Sequence, residues 1–228
     1  MMKRPETILM DVDGTMTDTR TSGNIMEQSP FQHLVRLVVQ HKGLSEKDAE
    51  RLILSCGDPA VHCLSVFLPV LGIDPDEYFS AIREDLKQHI SIPEDVIVFL
   101  KTMKKKGIRV CAATTNSRFM TLAKLSVAGL ADRNGCAYLA AYHAGNEFGD
   151  PEGKFSERYF PNILRHHGYD LETTMMIGDE PEHDLYPALK AGIRHCVILD
   201  RKQTEDMVRK EGGIVVRDLG VVNAVQST

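Results

Sequence analysis

Two aspartates separated by one residue follow an apolar run near the amino terminus. Residues 8–18 read ILMDVDGTMTD, which places Asp11 and Asp13 where a buried strand would end. Two carboxylates this close repel each other, and burial strengthens the repulsion. The pattern is typical either of a solvated acidic turn or of a site where a cation joins the carboxylates, and the rest of the chain decides between these interpretations.

Further polar groups occupy the ends of other apolar runs. Thr114, Thr115 and Asn116 follow the run IRVCAA, Asp179 follows TMMIG, and Lys154 precedes the helical pattern FSERYFPNILRHHG. In an open parallel sheet, ligands bind at the carboxyl ends of the strands, where the loops diverge. Together these residues predict an acidic crevice that suits a metal ion and also contains a lysine and a hydroxyl group.

The elements that would position these groups are short apolar strands alternating with amphipathic helices. The predicted strands are TILMDVD, IRVCAATTN, CAYLAAY, TMMIGDE, HCVILD and GIVVRDL. The predicted core helices are PEDVIVFLKTMKKKG, FMTLAKLSVAGL, RYFPNILRHHG and DLYPALKAG. Nearly continuous apolar strands of this kind are buried on both faces, so the pattern predicts an α/β fold with a doubly wound, mostly parallel sheet.

Residues 24–91 interrupt this alternation with four segments in which apolar residues recur at the spacing of a helix. They are QSPFQHLVRLVVQHKG, SEKDAERLILSCG, AVHCLSVFLPVLG and DPDEYFSAIREDLKQHI. We therefore predict a helical domain at residues 23–91, inserted after the first strand into an α/β domain formed by residues 1–22 and 92–228.

The composition is that of a globular protein. Of the 228 residues, 43% are hydrophobic and 26% are charged, and the formal net charge is −5. General nucleic-acid binders and proteins that bind acidic membranes need a positive face, so neither kind of partner is expected. The apolar run at the amino terminus is too short for a secretory signal, and five scattered cysteines suit reduced thiols. We expect a cytoplasmic protein, as a monomer or a homodimer.

The polar strand ends resemble the four motifs of the haloacid dehalogenase superfamily of phosphohydrolases. DVDGT resembles the first motif, AATTN the second, GKFSERYFPNIL the third and IGDEPEHDLYPALKAG the fourth. Phe155 stands where the family very often has proline. The resemblance is to the phosphoglycolate phosphatase-like and β-phosphoglucomutase-like group, and it implies a Rossmann-like core with a helical cap inserted after the first motif.

The resemblance also implies roles for individual residues around Mg²⁺. Asp11 would be the nucleophile and a metal ligand, and Asp13 would move the proton and offer its backbone carbonyl to the metal. Asp179 would be a further metal ligand, and Asp184 would bind the metal through a water or anchor its ligands, with Glu180 or Glu182 sharing that work. Thr115 and Lys154 would contact the phosphoryl oxygens, and Thr15 and Asn116 would be among the substrate-binding residues. The expected reaction is hydrolysis of a small phosphorylated metabolite through an aspartyl-phosphate.

Substrate choice would fall to the cap. Residues 17–24 resemble the hinge, and CGDPA resembles the loop that reaches over the site. The candidate substrate contacts are Arg20, Cys56, Gly57, Asp58 and His62, for each of which a packing or surface role is an equal alternative. A phosphomutase remains an alternative function. A second alternative is a phosphonate hydrolase, in which Lys42, Lys47 or Lys87 would form a Schiff base with the substrate. A third is a non-enzymatic protein that accepts a phosphoryl group or binds a ligand.

Overall fold

The computed structural model describes residues 4–20, 25–59, 61–149, 153–210 and 212–225. The strands in these residues are β1 (Thr7–Met10), β2 (Asp18–Thr19), β3 (Ile90–Ser91), β4 (Arg109–Thr114), β5 (Ala141–Ala144), β6 (Thr174–Gly178), β7 (His195–Leu199), β8 (Met207–Lys210) and β9 (Gly213–Val216). The α-helices are α1 (Pro30–Lys42), α2 (Glu46–Cys56), α3 (Leu68–Leu71), α4 (Pro75–His89), α5 (Glu94–Lys105), α6 (Arg118–Ser126), α7 (Gly145–Phe148), α8 (Tyr159–His167), α9 (Tyr186–Lys190) and α10 (Leu219–Val225). Leu64–Val66 and Gly153–Phe155 form 3₁₀ turns, and Pro181–Leu185 forms a π-helical turn.

Seven strands form one sheet in the order β5-β4-β1-β6-β7-β9-β8. All neighbouring strands run parallel except β8, which is antiparallel to β9. Leu9 in the central strand β1 pairs with Cys111 of β4 on one side and Met176 of β6 on the other. The doubly wound, mostly parallel sheet predicted from the sequence is confirmed, and its register aligns the carboxyl ends of β4, β1 and β6.

Local signals in the sequence explain where the core helices begin and end. Helix α5 follows Pro93, has Glu94 and Asp95 in its first turn, and carries Lys104 and Lys105 in its last turn. These charges complement the two ends of the helix dipole. The helix buries one face against the sheet through Val96, Phe99, Leu100 and Met103. The predicted helix at this position is therefore present.

Two predicted elements differ from the structure. The strand expected at CAYLAAY forms only from Ala141 onward as β5, because residues 136–140 turn back instead, with the N–H of Cys136 donating to the hydroxyl of Tyr142. The helix expected at AVHCLSVFLPVLG is reduced to a 3₁₀ turn and the four-residue α3. Pro69 lies in the first turn of α3, and proline is tolerated only there in a helix.

The described residues fall into two compact units. One is an α/β unit from Met1–Asp18, Ile92–Thr121 and Cys136–Thr228, and the other is a helical unit from Thr19–Ser91 and Leu122–Gly135. That the helical unit acts as a cap stays a prediction. Part of the predicted hinge, residues 21–24, and the predicted domain boundary between residues 22 and 23 lie outside the described residues.

In the helical unit, a buried carboxylate ties the start of the insert to α4. Asp85 accepts hydrogen bonds from the backbone N–H groups of Glu27 (2.8 Å) and Gln28 (2.9 Å). His33 Nε2 lies 2.8 Å from Asp85 Oδ2, and both residues are buried. This network fixes the chain that enters α1.

None of the described helices combines the length and the apolar character that a membrane span needs. All five cysteines are free thiols, and Cys111, Cys136 and Cys196 are buried.

Candidate active site

The turn after β1 presents the first two acids at the edge of the sheet. The N–H of Asp11 donates to the carbonyl of Ile177 at 2.9 Å, so this residue still follows the line of the strand. The chain then turns at Gly14, whose φ is +80°. A Cβ at Gly14 would lie 2.1 Å from Asp179 Oδ2, so only glycine allows the turn to approach that carboxylate.

A buried lysine joins two of the acids. Lys154 Nζ lies 2.5 Å from Asp11 Oδ1 and 2.5 Å from Asp184 Oδ1. All three residues are less than 9% exposed. Buried ions are tolerated only when they are paired, so the two carboxylates and the ammonium depend on one another for their placement.

The turn after β6 arranges the remaining two acids. Asp184 Oδ2 accepts the backbone N–H groups of Asp179 and Glu180, each at 3.1 Å. Thr15 donates its hydroxyl hydrogen to Asp179 Oδ1 at 2.8 Å. The first and last motif segments are therefore linked directly, by a hydroxyl from one to a carboxylate of the other.

Asp13 is oriented from the end of β4. Asn116 Nδ2 donates to Asp13 Oδ2 at 2.6 Å and to the hydroxyl oxygen of Thr114 at 2.8 Å. The amide of Asn116 thus fixes the direction of the Asp13 carboxylate relative to β4. Thr115, between these residues, is exposed and lines the cavity described next.

These side chains surround one cavity of about 120 Å³. Its lining residues are Asp11, Asp13, Thr115, Lys154, Phe155, Asp179, Glu180, His183 and Asp184. The structure therefore brings together Asp11, Asp13, Thr115, Lys154, Asp179 and Asp184, the residues predicted as catalytic or as metal ligands, from four separate segments of the chain. Of the two glutamates that could share the metal-binding work, Glu180 lines the cavity and Glu182 is not among its lining residues. Their chemical roles stay predictions.

Burial perturbs the acids of this cavity strongly. It raises the pKa of Asp11 to about 7, against the lowering effect of Lys154 and with a further rise from Asp184. Burial likewise raises the pKa of Asp179 to about 6, opposed by the hydrogen bond from Thr15 and reinforced by the charge of Asp184. For Lys154, burial lowers the pKa, but the carboxylates of Asp11 and Asp184 outweigh it and the net direction is upward.

The donor set fits a hard divalent cation. Asp11, Asp179 and Asp184 each offer a carboxylate oxygen, and these oxygens lie within 4.8 Å of one another. Carboxylate oxygens are the ligands that Mg²⁺ prefers. Burial is the main cause of the raised pKa values of Asp11 and Asp179, and a bound cation would stabilise the ionised form of both carboxylates.

Two residues predicted to bind substrate have protein partners in the α/β unit. Thr15 contacts Asp179 and Asn116 contacts Asp13, so both can position the acids. Whether either also contacts substrate stays a prediction.

The other predicted substrate contacts, Arg20, Cys56, Gly57, Asp58 and His62, belong to the helical unit. Arg20 donates its backbone N–H to the carbonyl of His89 and its Nε hydrogen to that of Ile90. Gly57 ends α2. Their role in substrate binding stays a prediction.

The sequence placed Thr114 at the end of a strand without assigning it a role, and it did not predict Phe155 or His183 as parts of the site. Phe155 was visible only as a departure from the usual proline after the lysine. His183 immediately precedes Asp184, which was its only signal. The pairing of these two rings depends on the tertiary structure.

Comparisons with known proteins place the chain in a family. The family model of haloacid dehalogenase-like hydrolases matches residues 8–198. The protein belongs to this family of hydrolases, as the resemblance of its motifs implied. A search of curated proteins found no match.

Solved structures share the fold at low sequence identity. A putative HAD-hydrolase, YfnB, from Bacillus subtilis bound to magnesium is 16% identical with a TM-score of 0.57, and the alignment covers 99% of this chain and 100% of that one. A 2-haloacid dehalogenase from Pseudomonas syringae is 19% identical with a TM-score of 0.56 and 98% coverage of both chains. A HAD phosphatase from Thermococcus onnurineus is 16% identical with a TM-score of 0.55, covering 96% of this chain and 97% of that one. These include a phosphatase and a dehalogenase, so the fold alone does not select the reaction.

Proposed function

We propose that the protein is a Mg²⁺-dependent phosphatase that hydrolyses the phosphate monoester of a small metabolite through an aspartyl-phosphate on Asp11. The observation that carries the proposal is the placement of Lys154 between Asp11 and Asp184, with the oxygens of Asp11, Asp179 and Asp184 close enough to share one cation. The magnesium bound to the Bacillus subtilis structure is consistent with this choice of metal. The five free cysteines suit a reducing, cytoplasmic location.

A phosphate monoester carries two negative charges, which a bare carboxylate repels. Mg²⁺, when bound to Asp11, Asp179 and Asp184 and to the backbone carbonyl of Asp13, would neutralise part of that charge. Lys154 occupies Asp11 Oδ1, so we assign the attack on phosphorus to Asp11 Oδ2. That oxygen forms a bond to phosphorus while the bond from phosphorus to the ester oxygen breaks.

Asp13 moves the proton in both halves of the reaction. It gives its proton to the departing ester oxygen, and then takes a proton from the water that attacks the phosphorus of the aspartyl-phosphate. This second attack releases inorganic phosphate and restores the Asp11 carboxylate. Asn116 would support this role by donating a hydrogen bond to Asp13 Oδ2 at 2.6 Å, which restricts the orientation of the carboxyl group.

We assign to Thr115 and Lys154 the stabilisation of the transferring phosphoryl group. Both line the cavity that contains Asp11. A hydroxyl and an ammonium that are fixed before reaction stabilise charge that develops on phosphoryl oxygens without having to reorganise. Lys154 also holds the nucleophile in place through its contact with Asp11.

The experiment that tests the proposal is Mg²⁺-dependent release of phosphate from p-nitrophenyl phosphate, followed by a panel of sugar phosphates, phosphoglycolate and nucleotides. The wild type should release phosphate with Mg²⁺ and lose activity in EDTA, and Asp11→Asn should be inactive. Asp206→Asn is the matched control, because this exposed acid pairs only with Arg217 in the described contacts. Absence of release from every ester, or an Asp11→Asn variant as active as the wild type, would refute the proposal. Phosphate transfer between sugar positions without release would indicate the phosphomutase instead.

A further inference from the structure

Two aromatic rings in the lining of the reaction cavity have no part in the proposed mechanism. Of the nine lining residues, five are acidic, one is a threonine and one is a lysine, and the other two are Phe155 and His183. Phe155 directly follows the catalytic lysine, and its side chain is 59% exposed. An exposed phenylalanine beside a reaction cavity is a candidate contact for ligand.

The two rings form a single wall. Their centroids are 4.6 Å apart and their planes cross at 70°, an edge-to-face arrangement that aromatic pairs favour. Glu180 also contacts His183, through Nδ1 of the imidazole. His183 therefore contacts both a carboxylate and Phe155, and these two contacts restrict the orientation of its ring although both rings are partly exposed.

The chemistry of the wall differs from that of the rest of the cavity. The other lining residues are suited to a phosphoryl group and a cation, whereas an aromatic surface binds flat apolar groups by stacking, edge contacts and dispersion. Glu180 lines the same cavity and would repel a leaving group with a second negative charge.

We propose that Phe155 and His183 are specificity-determining residues that contact the leaving group, and that they select monoesters with an uncharged, flat apolar group at the ester oxygen. An aromatic ring or the C–H face of a sugar ring has this character, and the carboxylate of phosphoglycolate does not. The inference rests on the proposed function, because it needs the phosphoryl group to bind beside Asp11.

Binding of two non-hydrolysable phosphonates tests the inference without turnover. Methylphosphonate and phenylphosphonate share the same anionic head group and differ only in the group that would reach the wall. By titration calorimetry in Mg²⁺, the wild type should bind phenylphosphonate at least about fivefold more tightly than methylphosphonate. Phe155→Ala and His183→Ala should bring this ratio close to one, by weakening the binding of phenylphosphonate more than that of methylphosphonate. Val98→Ala, which truncates an exposed apolar side chain elsewhere in the α/β unit, should keep the wild-type ratio.

The outcomes separate the two proposals. Equal affinity of the wild type for both phosphonates overturns the specificity inference alone, as does a preference for phenylphosphonate that survives both truncations. Failure of methylphosphonate to bind at all, together with the absence of Mg²⁺-dependent turnover, overturns the proposed function and this inference with it.

Discussion

Lys154 Nζ lies 2.5 Å from Asp11 Oδ1, although 143 positions of sequence separate the two residues. The contact joins the end of the central strand to a loop that comes far later in the chain. Because both groups are buried, neither charge has water to stabilise it, and each needs the other. The predictions below follow from this arrangement and from the segments that support it.

Replacing Lys154 by methionine should lower kcat by about 10²–10³, because it removes a fixed cation from the phosphoryl site. It should also lower the free energy of unfolding by about 3 kcal/mol, since Asp11 and Asp184 would remain buried without their partner. Steady-state kinetics and urea denaturation measure the two effects. Lys190→Met is the control, because Lys190 is 67% exposed and pairs with an exposed glutamate. Equal effects of the two substitutions would contradict the prediction.

The metal-free protein should lose stability as the pH rises from about 4 to about 7. The pKa of Asp11 is about 7 in the folded protein against an ordinary value of 3.8, mainly because the group is buried. The folded state therefore keeps a proton that the unfolded chain releases, so this stabilisation is complete below pH 4 and is lost as the pH passes through 7. Asp179 acts in the same direction.

Urea denaturation in EDTA at pH 5 and pH 8 measures this difference. Asp11→Asn, which removes the titrating group, should show a smaller decrease than the wild type. Adding Mg²⁺ at pH 8 should restore stability to the wild type, because the cation binds the ionised carboxylates of the folded state only. A wild-type protein that is more stable at pH 8 than at pH 5 in EDTA would contradict the assignment.

Replacing Asp85 by asparagine should destabilise the helical unit by about 2–4 kcal/mol. Burial alone would raise the pKa of Asp85, but hydrogen bonds from the N–H groups of Glu27 and Gln28 and from His33 outweigh it and hold the pKa below its ordinary value. Its contribution is therefore present above pH 4 and lost in stronger acid. An asparagine has only one acceptor oxygen for these donors. Thermal denaturation at pH 7 measures the loss, and Glu84→Gln, an exposed acid in the same helix, should have little effect.

Replacing Gly149 by alanine should displace Lys154. A Cβ at this position would lie 1.7 Å from the carbonyl oxygen of Gly153, the residue before the lysine. Asn162 holds the other side of the segment by donating to the carbonyl of Phe148 at 2.8 Å, so the strain falls on Gly153. We expect kcat to fall at least about tenfold, since small misplacements of catalytic groups are costly.

Gly135→Ala is the matched control for this substitution, because nothing lies within 4 Å of its added methyl group. Kinetics at saturating p-nitrophenyl phosphate and thermal denaturation distinguish a positioning effect from unfolding. A Gly149→Ala variant with wild-type kcat would show that the approach of Gly149 to Gly153 does not position the lysine.

Much of the sheet could be predicted from the sequence because its strands are buried on both faces and read as continuous apolar runs. The antiparallel strand β8 was missed because MVRK mixes apolar and charged residues. The helix predicted at residues 60–72 is shorter in the structure because Pro69 lies in the first turn of a separate four-residue helix. The strand predicted to end in β5 is shorter because residues 136–140 form a turn. In each case a local exception outweighed the hydrophobic pattern.

The sequence by itself determined which residue types stand at the strand ends, because burial of a strand and the turn after it are encoded locally. The tertiary structure decided which atoms meet: Thr15 with Asp179, Asn116 with Asp13, and Phe155 with His183. Such pairs depend on strand register, on the close approach of separate loops and on side-chain rotamers, and none of these is a property of one segment. The motifs therefore predicted the site, and the packing of the chain assigned the partners within it.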